Sequence, residues 1–440
     1  VAAMKQWRAL PLIERVQALR QAQMRLRTYE DLLARGISVE TGKPITEARA
    51  EVEAVLTRFD YTISDAESLV RPTAVEEAVL PSWIRRRPRG PAVVISPAIT
   101  PLDFANGALI AYLAAGNTAI LKPSPQAGAV AAEYANLMGM AFPPGVFQVV
   151  QGWGSVGERL ASHAQVRSVC FIGSISVGQT LAARLASDYS KDLAMHLGGK
   201  CAAIVLEDGA MGLAAESVAK GLCLSAGQRC NSTARVLVAE KVVHPFLENL
   251  LVALDRFRPG DPMKPTTLLG PLISAESVAD YLGKCASKAG DWIRRGKAAE
   301  QVHGKRGHYV YPAVVVYRSR RERIAALLTP LAREEVASPI LEVYPVADAD
   351  DAIQLHNSLP FGLTSSVFTR SEETFWKMAD MLNVGNIYAN LPTTLSPAAL
   401  PFGGLGACGN RHPAGRGFIR FCSDEQAVQL LENSFSAHTT

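Results

Sequence analysis

A chain of 440 residues with 48% hydrophobic and 20% charged residues has the composition of an ordinary soluble globular protein, long enough for two or three domains. The formal net charge of +4 is small for that length, and the two short basic runs at 85–87 and 318–323 read as solvated faces, so nucleic acid is not an expected partner. No apolar run reaches the roughly 18 residues that span a bilayer, so neither is a membrane. The seven cysteines contain no C-x-x-C pair and no Cys/His cluster at metal spacing. That argues against a disulfide framework and a metal site, and for a reducing, cytoplasmic setting. The chain opens at Val1 inside a helical pattern with no signal peptide, so we expect further residues ahead of it.

Trp7, Leu10, Ile13, Val16 and Leu19 recur at helical spacing, and the pattern continues through Leu32 and Leu33. Pro72 and Pro81 bracket an extended segment. From Gly90 onward, short apolar runs predict buried strands at 92–95, 118–121, 147–150 and 169–172. Helices are expected between them, over about 102–115 and 126–140, with a short one after 150. Strands alternating with helices mean a parallel sheet, and continuous apolar runs mean that both faces are covered. A second alternating series follows Gly199, with strands expected at 202–206, 235–239, 314–317 and 340–346. Residues 426–431 read as a lone strand.

Gly152-Trp153-Gly154-Ser155-Val156-Gly157 is a G-x-G-x-x-G sequence between a strand and a helix. Such a turn lets backbone approach a pyrophosphate at a helix N-terminus, but an empty structural turn reads equally well. Phe171-Ile172-Gly173-Ser174 is a second glycine turn at a strand end, and His196-Leu197-Gly198-Gly199-Lys200 is expected to follow the next helix. Cys230, after Gly227-Gln228-Arg229, is the one cysteine in a polar, turn-like setting. A lone cysteine is commonly core filler, whereas a basic neighbour favours the nucleophilic thiolate. Local sequence leaves both readings open.

Taken in order, Glu40-Thr41-Gly42-Lys43-Pro44, Ala115-Gly116-Asn117-Thr118, Lys122-Pro123-Ser124, Leu197-Gly198-Gly199-Lys200, Gly227-Gln228-Arg229-Cys230, Gly270-Pro271-Leu272-Ile273 and Pro401-Phe402-Gly403-Gly404 resemble the aldehyde dehydrogenase superfamily across essentially the whole chain. Asn106-Gly107 and the stretch from Gly406 to Pro413 are similar to its succinylglutamate-semialdehyde dehydrogenases. The resemblance implies an α/β fold with a Rossmann-type dinucleotide-binding domain (1–70 and 92–198), an α/β catalytic domain (199–415) and a small oligomerisation element (71–91 and 416–440). It implies NAD or NADP as cofactor, an aldehyde as small-molecule substrate, and a homodimer or homotetramer. By the same resemblance Cys230 attacks the aldehyde, hydride leaves to the nicotinamide, and water releases the acid from the thioester. Lys122 would hold the adenosine ribose, Gly173 and Ser174 the pyrophosphate, and Glu335 the nicotinamide ribose.

Several positions depart from that pattern. His196 stands where the family has its general-base glutamate, and histidine has an ordinary pKa near ~6.5 that permits base chemistry. Ile99 replaces the asparagine that donates to the oxyanion, a loss worth about 3 kcal/mol, with the backbone N–H of Cys230 left as the other donor. Ala98, Pro125, Ala337 and Ser338 replace further cofactor contacts, and Pro125 removes a carboxylate that would repel a 2′-phosphate. Oxidation of a carboxylate-bearing semialdehyde such as succinylglutamate semialdehyde is the expected activity. Acyl transfer to coenzyme A, and a catalytically impaired homologue with a binding or scaffold role, are the alternatives.

Overall fold

The computed structural model describes residues 2–431. Val1 and the last nine residues of the expected oligomerisation element, 432–440, lie outside the described residues. Four helices come first: Ala2–Ala9, Leu12–Thr28, Glu30–Thr41 and Ile45–Leu69. Pro11 and Pro44 stand immediately before the second and fourth, where no intrahelical N–H is required. Gly42 closes the third in the left-handed region, φ 73°, and its N–H donates to the Ser38 carbonyl at 3.0 Å. On the fourth, Ala48, Val52, Val55, Phe59, Ile63 and Ala66 repeat at three- and four-residue spacing and are all buried. That stripe packs on helix Asp103–Ala114, itself buried on nearly every side.

Helix Asp103–Ala114 packs against a five-stranded parallel sheet in the order Phe147–Val149, Ala119–Lys122, Ala92–Ile95, Ser168–Gly173, Asp192–Leu197. The first strand in the chain is central, and later strands add on one side and then the other. A crevice therefore opens at the carboxyl ends beside Ala92–Ile95, the usual ligand position in an open parallel sheet. The second sheet has seven strands, in the order Asp291–Arg294, Ala313–Val316, Ile340–Val346, Thr233–Ala239, Cys201–Val205, Thr364–Phe368, Asn386–Ala389. All its pairings are parallel except the first.

Several elements differ from the sequence reading, which also left out strands Asp291–Arg294 and Asn386–Ala389 and the hairpin of Ala298–Val302 with Lys305–Val310. His196 does not follow a helix: it lies in strand Asp192–Leu197, whose polar Asp192 and His196 break the apolar run. Thr364–Phe368 is a fully buried strand that hydropathy hides, because Ser365 and Ser366 sit in its centre. His356 Nε2 and Ser365 Oγ lie 2.8 Å apart, which satisfies one of the two hydroxyls. The C-terminal strand is not alone: Ser423–Gln429 pairs antiparallel with Ser82–Pro88, and Thr73–Ala74 completes a three-stranded sheet. Among the described residues no helix is long and apolar enough to cross a membrane.

Two large cores follow the two sheets. The first joins Trp7, Phe59 and Tyr134 to Phe402, Phe418 and Phe421 from the far end of the chain. The second holds the seven-stranded sheet against helices Met211–Cys223 and Val243–Leu254. Its middle contains an ion pair with both side chains at most 1% exposed: Lys200 Nζ stands 2.7 Å from Glu342 Oε2. Tyr344 and Tyr317 donate their hydroxyls to Glu342 Oε1 at 2.8 and 3.2 Å. Lys200 also donates to the Leu331 carbonyl, fastening the segment that leads to Glu335. Removing one member of such a pair strands a charge in a low-dielectric interior. Glu342→Ala should therefore cost about 3–5 kcal/mol, read as a fall in the urea midpoint, whereas Lys200→Met with Glu342→Leu should cost less than the single change.

Candidate active site

The cysteine loop is built from an unusual backbone. Ser225, Ala226 and Gly227 have φ of 49°, 54° and 73°, three successive left-handed residues of which only one is glycine. Non-glycine residues reach that region at a cost of about 1–3 kcal/mol each, so something must hold them. The holder is Glu47, whose carboxylate accepts from the Ser225 N–H at 2.9 Å and its hydroxyl at 2.8 Å. Gln228 braces the other side: its Nε2 donates to the Ser225 carbonyl at 2.8 Å, and its Oε1 accepts from Ile273 N–H at 2.9 Å. Gly227 is required sterically as well, since a Cβ there would fall 2.7 Å from Pro339 N.

This turn delivers Cys230 Sγ to 3.2 Å from His196 Nε2. The imidazole is 1% exposed and lies between Phe104 and Phe402, with ring centroids at 4.9 and 5.4 Å. Among the described residues its Nδ1 is buried without a hydrogen-bond partner, so only ring packing orients it. Burial first, then the positive charge of Arg58 and His412, pushes its pKa down to about 3. Burial also pushes the Cys230 thiol up, and that outweighs the favourable charge of Arg229. The basic neighbour, which by itself favours a thiolate, therefore does not make one here. Desolvation of the charged form is the larger effect. At pH 7 the pair rests as thiol and neutral imidazole.

Cys230, His196, Gly173, Ser174 and Glu335 line one cavity of about 200 Å³, together with Ile99 and Ala337. Ile99 offers no donor to it, and Ala98 and Ala337 present only methyl groups. Glu335 lies directly against Gly198, where any side chain would occupy the place of its carboxylate. Burial pushes the Glu335 carboxyl up to about 7.

A second groove, of about 430 Å³, joins the cavity through Pro97, Ile172 and Gly173 and runs along the carboxyl ends of the five-stranded sheet. Lys122 and Ser96 line it; both are buried, and neither the Lys122 ammonium nor the Ser96 hydroxyl has a partner among the described residues. Burial lowers the Lys122 pKa. A partnerless ammonium and hydroxyl on a glycine-lined wall at the sheet's switch point fit a dinucleotide. Within the G-x-G-x-x-G turn, only Gly152 is demanded by its backbone, with φ 147°; Gly154 and Gly157 line the groove. Pro125 lines it too.

The structure thus brings together Cys230, His196, Glu335, Gly173 and Ser174, and sets Lys122 further along the joined groove. Sequence reading missed the opposite side. Arg229 and Thr100 line both the cysteine cavity and a third pocket of about 390 Å³, into which Lys43, Glu47 and Lys220 also face. The Arg229 guanidinium has no hydrogen bond or ion pair among the described residues, and its place beside Cys230 was the one available signal.

The profile of the aldehyde dehydrogenase family matches residues 1–428. The N-succinylglutamate 5-semialdehyde dehydrogenase 1 of Caulobacter vibrioides is 30% identical over 419 residues, 94% of this chain and 86% of that protein. The structure of 1-pyrroline-5-carboxylate dehydrogenase from Thermus with bound NAD is similar with a TM-score of 0.89 at 28% identity, covering 97% of this chain and 83% of its own. That of glyceraldehyde-3-phosphate dehydrogenase GapN from Methanocaldococcus jannaschii complexed with NADP gives 0.86 at 26% identity, over 98% of this chain and 92% of its own. With a profile match over nearly its whole length, and with a cysteine cavity opening onto a dinucleotide-sized groove, the chain belongs to the aldehyde dehydrogenase family and is an NAD(P)-dependent aldehyde dehydrogenase.

Proposed function

We propose that the protein oxidises a semialdehyde carrying a carboxylate, of the succinylglutamate-semialdehyde kind, through a thioester on Cys230. The observation that carries the substrate class is Arg229, a guanidinium with no ion pair among the described residues, one residue before the proposed nucleophile and lining both the cysteine cavity and the pocket behind it. An anionic tail in that pocket would meet Arg229, while its aldehyde carbon reaches Sγ. The similarity to the Caulobacter succinylglutamate-semialdehyde enzyme supports the same class.

Lys122 and the Gly173–Ser174 turn would hold the cofactor, whose nicotinamide accepts hydride when bound. With Pro125 in the groove, no carboxylate at that position repels a 2′-phosphate, so NAD and NADP both fit. Because the thiol and His196 are both neutral, sulfur adds to the aldehyde carbon as the S–H proton passes to the carbonyl oxygen, with Nε2 placed to relay it. Loss of hydride and of the hydroxyl proton leaves the thioester, and water then releases the acid and returns the thiol. Ile99 leaves the oxygen of both tetrahedral species one donor short. A homodimer or homotetramer is part of the same proposal: strand Ser423–Gln429 forms one edge of its three-stranded sheet, and its outer side pairs with no other described strand. Light scattering should give twice or four times the chain mass.

With saturating cofactor and a carboxylate-bearing semialdehyde, a burst of reduced cofactor stoichiometric with Cys230 should precede slow turnover. Cys230→Ala should abolish both phases while leaving the fold intact. Ile99→Asn should raise both phases, each by up to about a hundredfold. His196→Glu should raise only the slow phase. Acceleration of that phase by coenzyme A would identify an acylating enzyme instead. Absence of any burst, in the wild type and in both reversions, would leave the scaffold reading. Arg229→Ala should raise KM for the anionic semialdehyde far more than for an uncharged aldehyde of the same length; equal effects on the two would remove the carboxylate from the proposal.

A further inference from the structure

Thioester release needs a base to deprotonate water, and the position that the family uses holds an imidazole that stays neutral down to about pH 3. A histidine that weak removes a proton from water poorly, and its Nδ1 has no hydrogen-bond partner among the described residues. The same cavity is lined by one carboxyl group, that of Glu335. Glu335 reaches in from the segment after helix Pro330–Arg333. Its carboxylate rests on Gly198, two residues beyond His196, and takes the space that any side chain there would fill. Among the described residues it has no hydrogen bond and no ion pair. It is close enough to Cys230 for its charge to act on the thiol. A cavity of about 200 Å³ accommodates an acyl group and a water, whose share of liquid volume is about 30 Å³.

We infer that Glu335 is the general base of thioester release in this protein, taking over the work of the missing family glutamate. The inference rests on the Cys230 thioester reading. The carboxylate accepts a proton from a water in the cavity as the water oxygen bonds to the thioester carbon. The tetrahedral species collapses, the carbon–sulfur bond breaks, and the sulfur takes the proton back from the Glu335 carboxyl. No redox partner is needed in this half of the reaction. Neutral His196, the Cys230 thiol and the Arg229 guanidinium share the cavity of Glu335, whose charge also acts on the Cys201 and Cys408 thiols, and Lys284 is the cation that lowers its pKa. Burial outweighs Lys284 and sets the carboxyl near 7. A base must be deprotonated to act, so release should speed up as pH rises through about 7 and level off above it.

Glu335 is also where the family resemblance puts a cofactor contact, so the test omits cofactor. p-Nitrophenyl acetate acylates a reactive cysteine directly, giving a nitrophenolate burst for acylation and a steady rate for release. The wild type should show both, with the steady rate rising through about pH 7. Glu335→Gln should keep the burst, lose roughly a hundredfold in steady rate, lose the limb near 7, and accumulate acetyl on Cys230 by intact mass. Glu335→Asp, which retains a carboxyl, should keep a pH-dependent limb at a reduced rate. A burst followed by wild-type turnover in Glu335→Gln, or persistence of the limb in that variant, overturns this inference and leaves the thioester reading standing. No burst and no acetyl on Cys230 in the wild type overturns both.

Discussion

Three charged side chains on one helix, Glu51 and Arg58 buried and Glu47 half-buried, decide where the parts of the site stand relative to one another. Glu51, on Ile45–Leu69, accepts from Leu102 N–H at 3.0 Å at the start of helix Asp103–Ala114, where an anion is favoured. It also pairs with buried Lys43. One turn earlier, Glu47 grips the left-handed Ser225 turn from which Cys230 projects. Two turns later, Arg58 pairs with Asp103 and donates to the Ala414 carbonyl, tying in the C-terminal segment that supplies Phe402. The loop bearing Ile99, the cysteine turn and the aromatic wall of His196 are thus referenced to one rigid rod. The helix's apolar stripe holds it in place, and its charges then act over a distance of a few side chains.

The site so assembled is dominated by desolvation rather than by pairwise charge. The thiol of Cys230 is pushed up, His196 down and Glu335 up, and in each case burial is the leading cause. All three groups are therefore shifted toward their uncharged forms. A carboxyl near 7 and an imidazole near 3 divide the two residues sharply as proton acceptors. In the reaction proposed above, Cys230 would add with concerted proton movement and not as a preformed thiolate.

The substituted positions fall into two spatial groups. Ala98, Ile99 and Ala337 line the small cavity, where their side chains present no polar group. Pro125 lies along the groove, beside Lys122. The backbone that presents these positions is intact: the switch-point crevice, the strained cysteine turn and the Gly198 shelf under Glu335 are all formed.

The sequence by itself determined the alternation of strands and helices, because buried parallel strands are continuous apolar runs that can be seen locally. It also carried the family resemblance and named Cys230, His196, Lys122, Gly173, Ser174 and Glu335 by their places in short motifs. Only the tertiary structure decided what those residues are to one another. Cys230 and His196 are 34 positions apart and meet through the pairing of two different sheets with one loop. Thr364–Phe368 is an interior strand because its neighbours bury two serines, a property of the sheet and not of the segment. The protonation of the site was illegible for the same reason. Arg229 beside Cys230 is visible in the sequence, but the desolvation that overrides it is summed over atoms contributed by several distant segments.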